Sequence, residues 1–444
     1  MSDPAPFFLF LGSTTTDAAV SKLKASGVVY EHKRLESGPE NWARIAAILR
    51  SPSLAGVVAK LTAKNFRLIA GSRFREPAEA LFSALARTSN VVFVHEAILG
   101  DLVPRGPLAE SEIILAEVFE PPSDEVRGKV LALLDRVGIV ITPYRTNAEL
   151  SVLTAAFVDD NESSLLFRVY VPRGRLYAAE GEKLLGLFRD WLREVKRARF
   201  REDGYATAHG RVYEFFGDGT TTSSTGLAES LGDFARFLEL CVSDPRQARR
   251  DLGASGIAPG LVDELVSRYG KEGSRLSIDV RHARETRLLS LRQRLESELL
   301  DASAGIAEHA TAAQILDSLV PDVGTAVGTL PGTAIQLGQA PAVHVTLNQQ
   351  FIRRVEGMVI QDVSGSATLG ADADALIELV RAYGGTSTTA LETAVHEIED
   401  PEARYAERLG AKQRLKTFLI GLSGKVEDHA VATLWKYLEG KMGV

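Results

Sequence analysis

Apolar and polar positions change their period several times along the chain, and each change marks an element. Phe7–Gly12 (FFLFLG) is a short apolar run, the pattern of a buried strand. Asp17–Ala25 switches to helical spacing, with Ala19, Val20 and Leu23 on one side. After Gly27, Val28–Leu35 (VVYEHKRL) reads as a second strand. Asn41–Leu61 carries helical spacing with a break at Ser51-Pro52, and Phe66–Ala70 (FRLIA) reads as a third strand. Pro77 opens a helix over Ala78–Ala86, and Asn90–His95 (NVVFVH) is a fourth strand. This alternation predicts a parallel sheet with helices on its faces. The fold class is therefore α/β, with a Rossmann-like domain over residues 1–108.

Residues 109–217 predict an α+β domain. Asp124–Val137 is helical and Ile139–Pro143 is a short strand. Ser151–Val158 and Ser164–Val171 flank the polar cluster Asp159–Glu162, which suggests a hairpin, although the first run also suits a helix. Over Ala178–Arg199, Leu184, Phe188, Trp191, Leu192 and Val195 form one apolar helical face. Arg193, Lys196, Arg197 and Arg199 load the end where the macrodipole favours cations. Tyr205–His209 and Arg211–Phe216, split at Gly210, read as a hairpin.

Gly217–Gly226 (GDGTTTSSTG) is small, polar and linker-like. Beyond it, residues 227–322 turn helical: Leu227–Val242, Pro259–Tyr269, Arg275–Leu300 and Ala310–Leu319. Leucines 288, 291, 295 and 299 make a short seam on the third of these. Residues 323–370 form an uncharged, Gly-rich segment followed by a β-ribbon, and residues 371–444 a helical tail.

The uncharged segment stands out against a chain that is 25% charged. Val323–Ile352 contains no Asp, Glu, Lys or Arg, and Gly324, Gly328 and Gly332 fall at four-residue spacing. That is the small-xxx-small pattern of closely packed helices. As one free helix, three glycines at about 1 kcal/mol each and Pro331 at about 3 would cost roughly 6 kcal/mol. Three readings follow: two short buried helices broken at Pro331, an apolar connector packed in an oligomer interface, or a segment that inserts into a membrane after a trigger. A homo-oligomer assembled through residues 323–370 explains the spacing with the fewest assumptions.

Composition narrows the function classes. A net charge of −7 argues against a general nucleic-acid binder. Cys241 is the only cysteine, so no intrachain disulfide or cysteine-based zinc site forms, and a cytoplasmic location is expected. The sequence contains no P-loop, GxGxxG, HExxH, GxSxG or CxxC motif. His396-Glu397 lacks the second histidine of a zinc helix and reads as a surface pair. No structural metal is expected, and no cofactor is identified.

The candidate chemistry is positional. Ligands of open parallel sheets sit beyond the carboxyl ends of the strands. The predicted strands end at Ser13, Thr14 and Thr15, at Arg34, at Ser72 and Arg73, and at His95 and Glu96. Hydroxyls and N–H groups before a helix suit phosphate, as do arginine forks. A nucleotide-like ligand is thus one reading, with His95 or Glu96 as the catalytic acid–base candidates, or Glu96 holding a ribose hydroxyl. Helix capping by the same Ser and Thr residues is the other. Tyr144–Asn147 and Arg173-Gly174-Arg175 form two further Arg-bearing loops, read as an anion or partner site or as a solvated edge.

The run Val363–Gly370 (VSGSATLG) is similar to Gly-Val-Ser ribbons that precede helical tails in bacterial conflict-system proteins of antiviral defence. The layout resembles those proteins as well. The resemblance implies an effector or sensor domain joined to an oligomerising C-terminal region, and it carries no functional residue over. A non-catalytic scaffold and a membrane-active, pore-forming effector using residues 323–352 are the alternatives.

Overall fold

The runs FFLFL and NVVFVH are strands because they are apolar on both faces and so need cover on both. In the computed structural model they become β1 (Phe7–Leu11) and β4 (Asn90–His95) of a five-stranded sheet. The structure describes residues 6–12, 23–24, 28–100, 121–162, 165–198, 200–217, 224–298, 306–320, 369–422, 426 and 428–441. The other strands of this sheet are β2 (Val29–Lys33), β3 (Leu54–Leu61) and β5 (Ile141–Tyr144). The order is β2-β1-β3-β4-β5, and every neighbouring pair is parallel. This confirms the Rossmann-like α/β reading.

Two predicted elements are corrected. Leu54–Leu61 was expected inside a helix and is the third strand, while Phe66–Ala70 was expected as that strand and lies in helix α2 (Ala63–Ala70). The preceding helix, α1, spans only Pro39–Ile48. A capping box decides the second case: Thr62 Oγ1 accepts from the Asn65 N–H, and Asn65 Oδ1 accepts from the Thr62 N–H at 2.9 Å. Ser151–Val158 resolves in favour of helix, within α6 (Asn147–Glu162). Again a capping box decides: the Glu149 N–H reaches Thr146 Oγ1 at 3.2 Å, and the Thr146 N–H reaches the Glu149 carboxylate at 3.4 Å. The sequence Thr146-x-x-Glu149 was the available signal.

Between β3 and β4 run α2, a 3₁₀ turn at Ser72–Phe74 and α3 (Arg75–Leu85). After β4 come the short α4 (Glu96–Leu99) and α5 (Asp124–Val137). One sheet face buries Phe8, Phe10, Val58, Phe93 and Tyr144 against Leu150, Leu153 and Val158 of α6 and against Leu409. Leu9, Val57, Val92 and Val94 point the other way by strand alternation and are equally buried. Each fully buried phenylalanine contributes roughly 2–3 kcal/mol.

Leu409 belongs to the C-terminal end of the chain. The chain divides into two compact units, residues 1–164 with 403–444 and residues 165–402. Helices α14 (Tyr405–Gly421) and α15 (Asp428–Gly440) thus complete the first unit, and the second is inserted in sequence between α6 and α14. Strand β5, expected in a separate domain beginning at 109, is an edge strand of the first sheet.

The second unit begins with β6 (Leu165–Pro172) and α7 (Ala178–Glu194), followed by β7 (Phe200–Ala206) and β8 (Gly210–Gly217), which form the predicted hairpin. These strands make an antiparallel sheet of order β6-β8-β7. At Gly210 a Cβ would lie 2.4 Å from the Tyr170 ring, so only glycine lets that ring close over the turn. Helices α8 (Ser224–Ser243), α9 (Pro245–Ala254), α10 (Pro259–Glu298) and α11 (Ile306–Leu319) follow. The expected α7 face is buried: Phe188 and Trp191 meet Phe234 at 5.4 and 5.7 Å between ring centroids. Leu291 and Leu295 of the leucine seam are buried in the same core. Cys241 is buried there too, and burial pushes its thiol up to about 12. Val323–Ile352 and the ribbon read over 353–368 lie outside the described residues.

Helices α12 (Ala371–Tyr383) and α13 (Thr388–Glu399) close this unit. His396 and Glu397, expected on the surface, are 6% and 1% exposed. They are buried because α13 and the turn after it are pinned to the sheet through carboxylates. Glu397 pairs with Arg168 of β6 at 2.6 Å, and Asp400 accepts from Tyr170 and Thr207 at 2.8 and 2.6 Å.

His396 Nε2 is buried and, among the described residues, has no hydrogen-bond partner. Burial, reinforced by Arg175, holds its imidazole down at about 4. The unfolded chain binds a proton near 6.5 that the folded chain refuses, so stability falls as pH drops from 6.5 towards 4. Urea unfolding of this unit should lose roughly 2–3 kcal/mol between pH 7 and 4.5. His396→Gln should flatten that dependence, which the same titration checks.

Candidate functional site

The carboxyl ends of the five strands bring Gly12, Arg34, Lys60 with Thr62, His95 with Glu96, and Tyr144 with Arg145 to one rim of the first sheet. The rim has two halves of different character.

The β4/β5 half is filled by the protein's own ions. Lys416 of α14 is fully buried and reaches the Glu96 carboxylate at 2.6 Å. It also pairs with Glu439 of α15, and its Nζ lies 4.9 Å from the centre of the Trp435 ring. Glu439 takes the Arg145 guanidinium at 3.1 Å. Glu149 accepts from the Arg145 N–H at 2.8 Å and pairs with Lys412 at 3.4 Å. Among the described residues three carboxylates and three cations alternate through this network. Burial works against the Lys416 ammonium, but Glu96 and Glu439 outweigh it and raise its pKa. Burial likewise opposes the Glu439 carboxylate, and Lys416, Lys412 and Arg145 overcome it and lower its pKa. Glu96 is the weaker acid of the pair: burial raises its pKa, and Lys416 offsets only part of that.

His95 is equally engaged. Its Nδ1 accepts from the Ala97 N–H at 3.1 Å, capping α4, so Nε2 carries the proton and donates to the Arg145 carbonyl at 3.0 Å. Its ring stands edge-on to Tyr144, with centroids 5.1 Å apart. The two residues read from sequence as acid–base candidates therefore both join β4 to β5 and its neighbours.

The β1/β3 half differs. Strand order reverses there: the connection from β1 leads outward to β2, and that from β3 leads to β4 on the opposite side. Gly12 sits at the end of β1 with φ +84°, and its N–H donates to the Lys33 carbonyl at 2.9 Å. A Cβ at Gly12 would lie 2.5 Å from the Lys60 carbonyl oxygen. The Lys60 side chain points to the sheet face that carries Val58 and Phe93, and its Nζ lies 5.5 Å from the centre of the Tyr144 ring. Among the described residues no carboxylate reaches Lys60 at ion-pair distance, and burial lowers its pKa. Sequence reasoning missed Lys60 because the strand carrying it was read as helix.

The other predicted residues are dispersed. Ser13, Thr14 and Thr15 lie outside the described residues. Arg34 stands exposed just past β2, where its carbonyl accepts from Ser37 Oγ at 3.0 Å. Ser72 and Arg73 are exposed in the 3₁₀ turn between α2 and α3 and end no strand, a correction that follows from the misassigned β3. Arg145 and Arg175, read as loops of one domain, belong to different units. Among the described residues no cluster of His, Cys, Asp and Glu could hold a metal, and no helix is long and apolar enough to cross a membrane.

Neither a family model, nor a curated protein, nor a solved structure matches this chain.

Replacing Lys416 by Met should cost roughly 3–5 kcal/mol, because Glu96 and Glu439 lose a buried counter-charge. Glu96→Gln combined with Lys416→Met should recover a large part of that. Denaturant unfolding followed through tryptophan fluorescence measures both, and equal losses in the single and double variants would contradict the ion-pair account.

Proposed function

We propose that the first unit binds a small anionic ligand of the nucleotide class at the carboxyl edge between β1 and β3. The observation that carries this reading is the reversal of strand order there, with Lys60 half-buried beside Gly12 and, among the described residues, no carboxylate at ion-pair distance from it. Doubly wound sheets take their ligands at such a switch point, where the two departing connections leave a crevice. A lysine cation without an internal partner suits a phosphate as a point charge. Gly12 removes the side chain that would otherwise meet the β3 backbone. Tyr144 supports the ammonium through its ring face.

His95 and Glu96 have a positioning role in this reading. Their polar atoms are committed to Arg145, Ala97 and Lys416. They hold β4 and β5 in register beside the ligand edge and leave the anion to Lys60.

The test is a thermal-shift and calorimetric screen of mono- and dinucleotides on the full chain. A binding nucleotide should lose about 10- to 100-fold in affinity in Lys60→Gln, the worth of one charge-assisted hydrogen bond, and regain part of it in Lys60→Arg. A screen in which no nucleotide binds, or in which Lys60→Gln binds as the wild type does, overturns the proposal.

A further inference from the structure

The two edges of the first sheet are finished differently. Strand β5 contains Pro143, which has no N–H to offer, and its Ile141 carbonyl accepts from Thr417 Oγ1 of α14 at 3.0 Å. Helix α14 thus covers that edge. The opposite edge is β2, which reads VYEHK over Val29–Lys33, with no proline and no shift in its register to β1. Val29, Glu31 and His32 are exposed, Val29 at 54%.

One hydrogen bond sets the direction of the backbone groups on β2. The Lys33 carbonyl accepts from the Gly12 N–H at 2.9 Å, so the peptide groups of Lys33 face β1. Alternation turns those of Val29 and Glu31 the same way, and those of Tyr30 and His32 outward. Among the described residues the outward N–H and C=O groups of Tyr30 and His32 have no partner. An open strand edge of this kind is a template for another strand.

The side chains select which strand fits. Glu31 and Lys33 share one face and pair with each other at 3.1 Å, both partly exposed. Such a surface ion pair is worth little and is free to exchange partners. Charges on an edge exclude most strands from it. A second copy of β2 is the exception in one antiparallel register. Centred on His32, that register puts Glu31 opposite the partner's Lys33, and Lys33 opposite the partner's Glu31. Both pairs fall at non-hydrogen-bonded positions, where opposed side chains come closest. The outward groups of His32 meet those of the partner's His32 in a hydrogen-bonded pair. Moving the centre to either neighbour sets Glu31 against the partner's Glu31, or Lys33 against the partner's Lys33, and like charges directly opposite are destabilising.

We propose that β2 is a self-association edge, at which two copies of the chain pair antiparallel about His32 and join their five-stranded sheets into one. The surface lies at the outer edge of the sheet and does not depend on the anion reading. A pair of five-residue strands is at the small, transient end of interfaces, so the association depends on concentration.

Sedimentation velocity of the full chain over a dilution series is the test. The wild-type mass should halve on dilution. His32→Pro removes the central outward N–H, at a place where an edge strand tolerates proline, and should halve the mass at every concentration at which the wild type associates. Glu31→Lys and Lys33→Glu should each raise the dissociation constant about tenfold or more, because each sets like charges opposite one another. An equimolar mixture of these two variants should associate again, since one chain is basic at both positions and the other acidic. That recovery separates lost pairing from lost folding, because an unfolded variant recovers nothing. Lys60→Gln should leave the mass unchanged. A wild type that stays monomeric throughout the series, an assembly whose mass survives His32→Pro, or a mixture that fails to associate overturns the proposal.

Discussion

A lysine ammonium with no exposure to water is among the most expensive groups a fold can contain, and Lys416 is such a group. An unpaired ion there would cost several kcal/mol, so its presence demands carboxylates in fixed positions. Glu96 supplies one from the end of β4 and Glu439 the other from α15. The requirement is mutual, because Glu96 in the same layer is as costly without Lys416. Neither end of the chain can satisfy it alone. The first unit is therefore built from both ends, with α14 packed against β5 and α6 and α15 packed against α14.

The same requirement shapes the rim. Arg145, Glu149 and Lys412 extend the network, so that among the described residues each cation of the β4/β5 edge faces a carboxylate. The β1/β3 edge was left out of this closure. Lys60 meets an aromatic ring where its neighbours meet carboxylates, and among the described residues no carboxylate stands at ion-pair distance from it. The proposed anion site rests on that contrast and on no motif in the sequence.

What was legible follows from range. Strands β1 and β4 and helix α7 announce themselves in their own residues, through apolar runs and a one-sided stripe. The β3 and α2 assignments exchanged places because Leu54–Leu61 mixes alanine, glycine and lysine with its valines, while Phe66–Ala70 is short and apolar in either conformation. The local signal that separates them is the Thr62-x-x-Asn65 cap, and Thr146-x-x-Glu149 does the same for α6. The ion network was beyond any local signal. Glu96 and Lys416 are 320 positions apart, and nothing near either residue names the other. A carboxylate at a strand's carboxyl end reads as chemistry until its counter-ion is found.

Closure of charge therefore separates the clusters of this protein better than burial does. Among the described residues Glu96, Glu149 and Glu439 match Arg145, Lys412 and Lys416 one for one, and a matched buried set resists a further ion because binding one would uncover a charge of the opposite sign. Arg168 with Glu397, and Tyr170 with Asp400, are likewise spent on holding α13 to its sheet. Lys60, half-buried at the end of β3, is the contrast: among the described residues it meets the Tyr144 ring and no carboxylate.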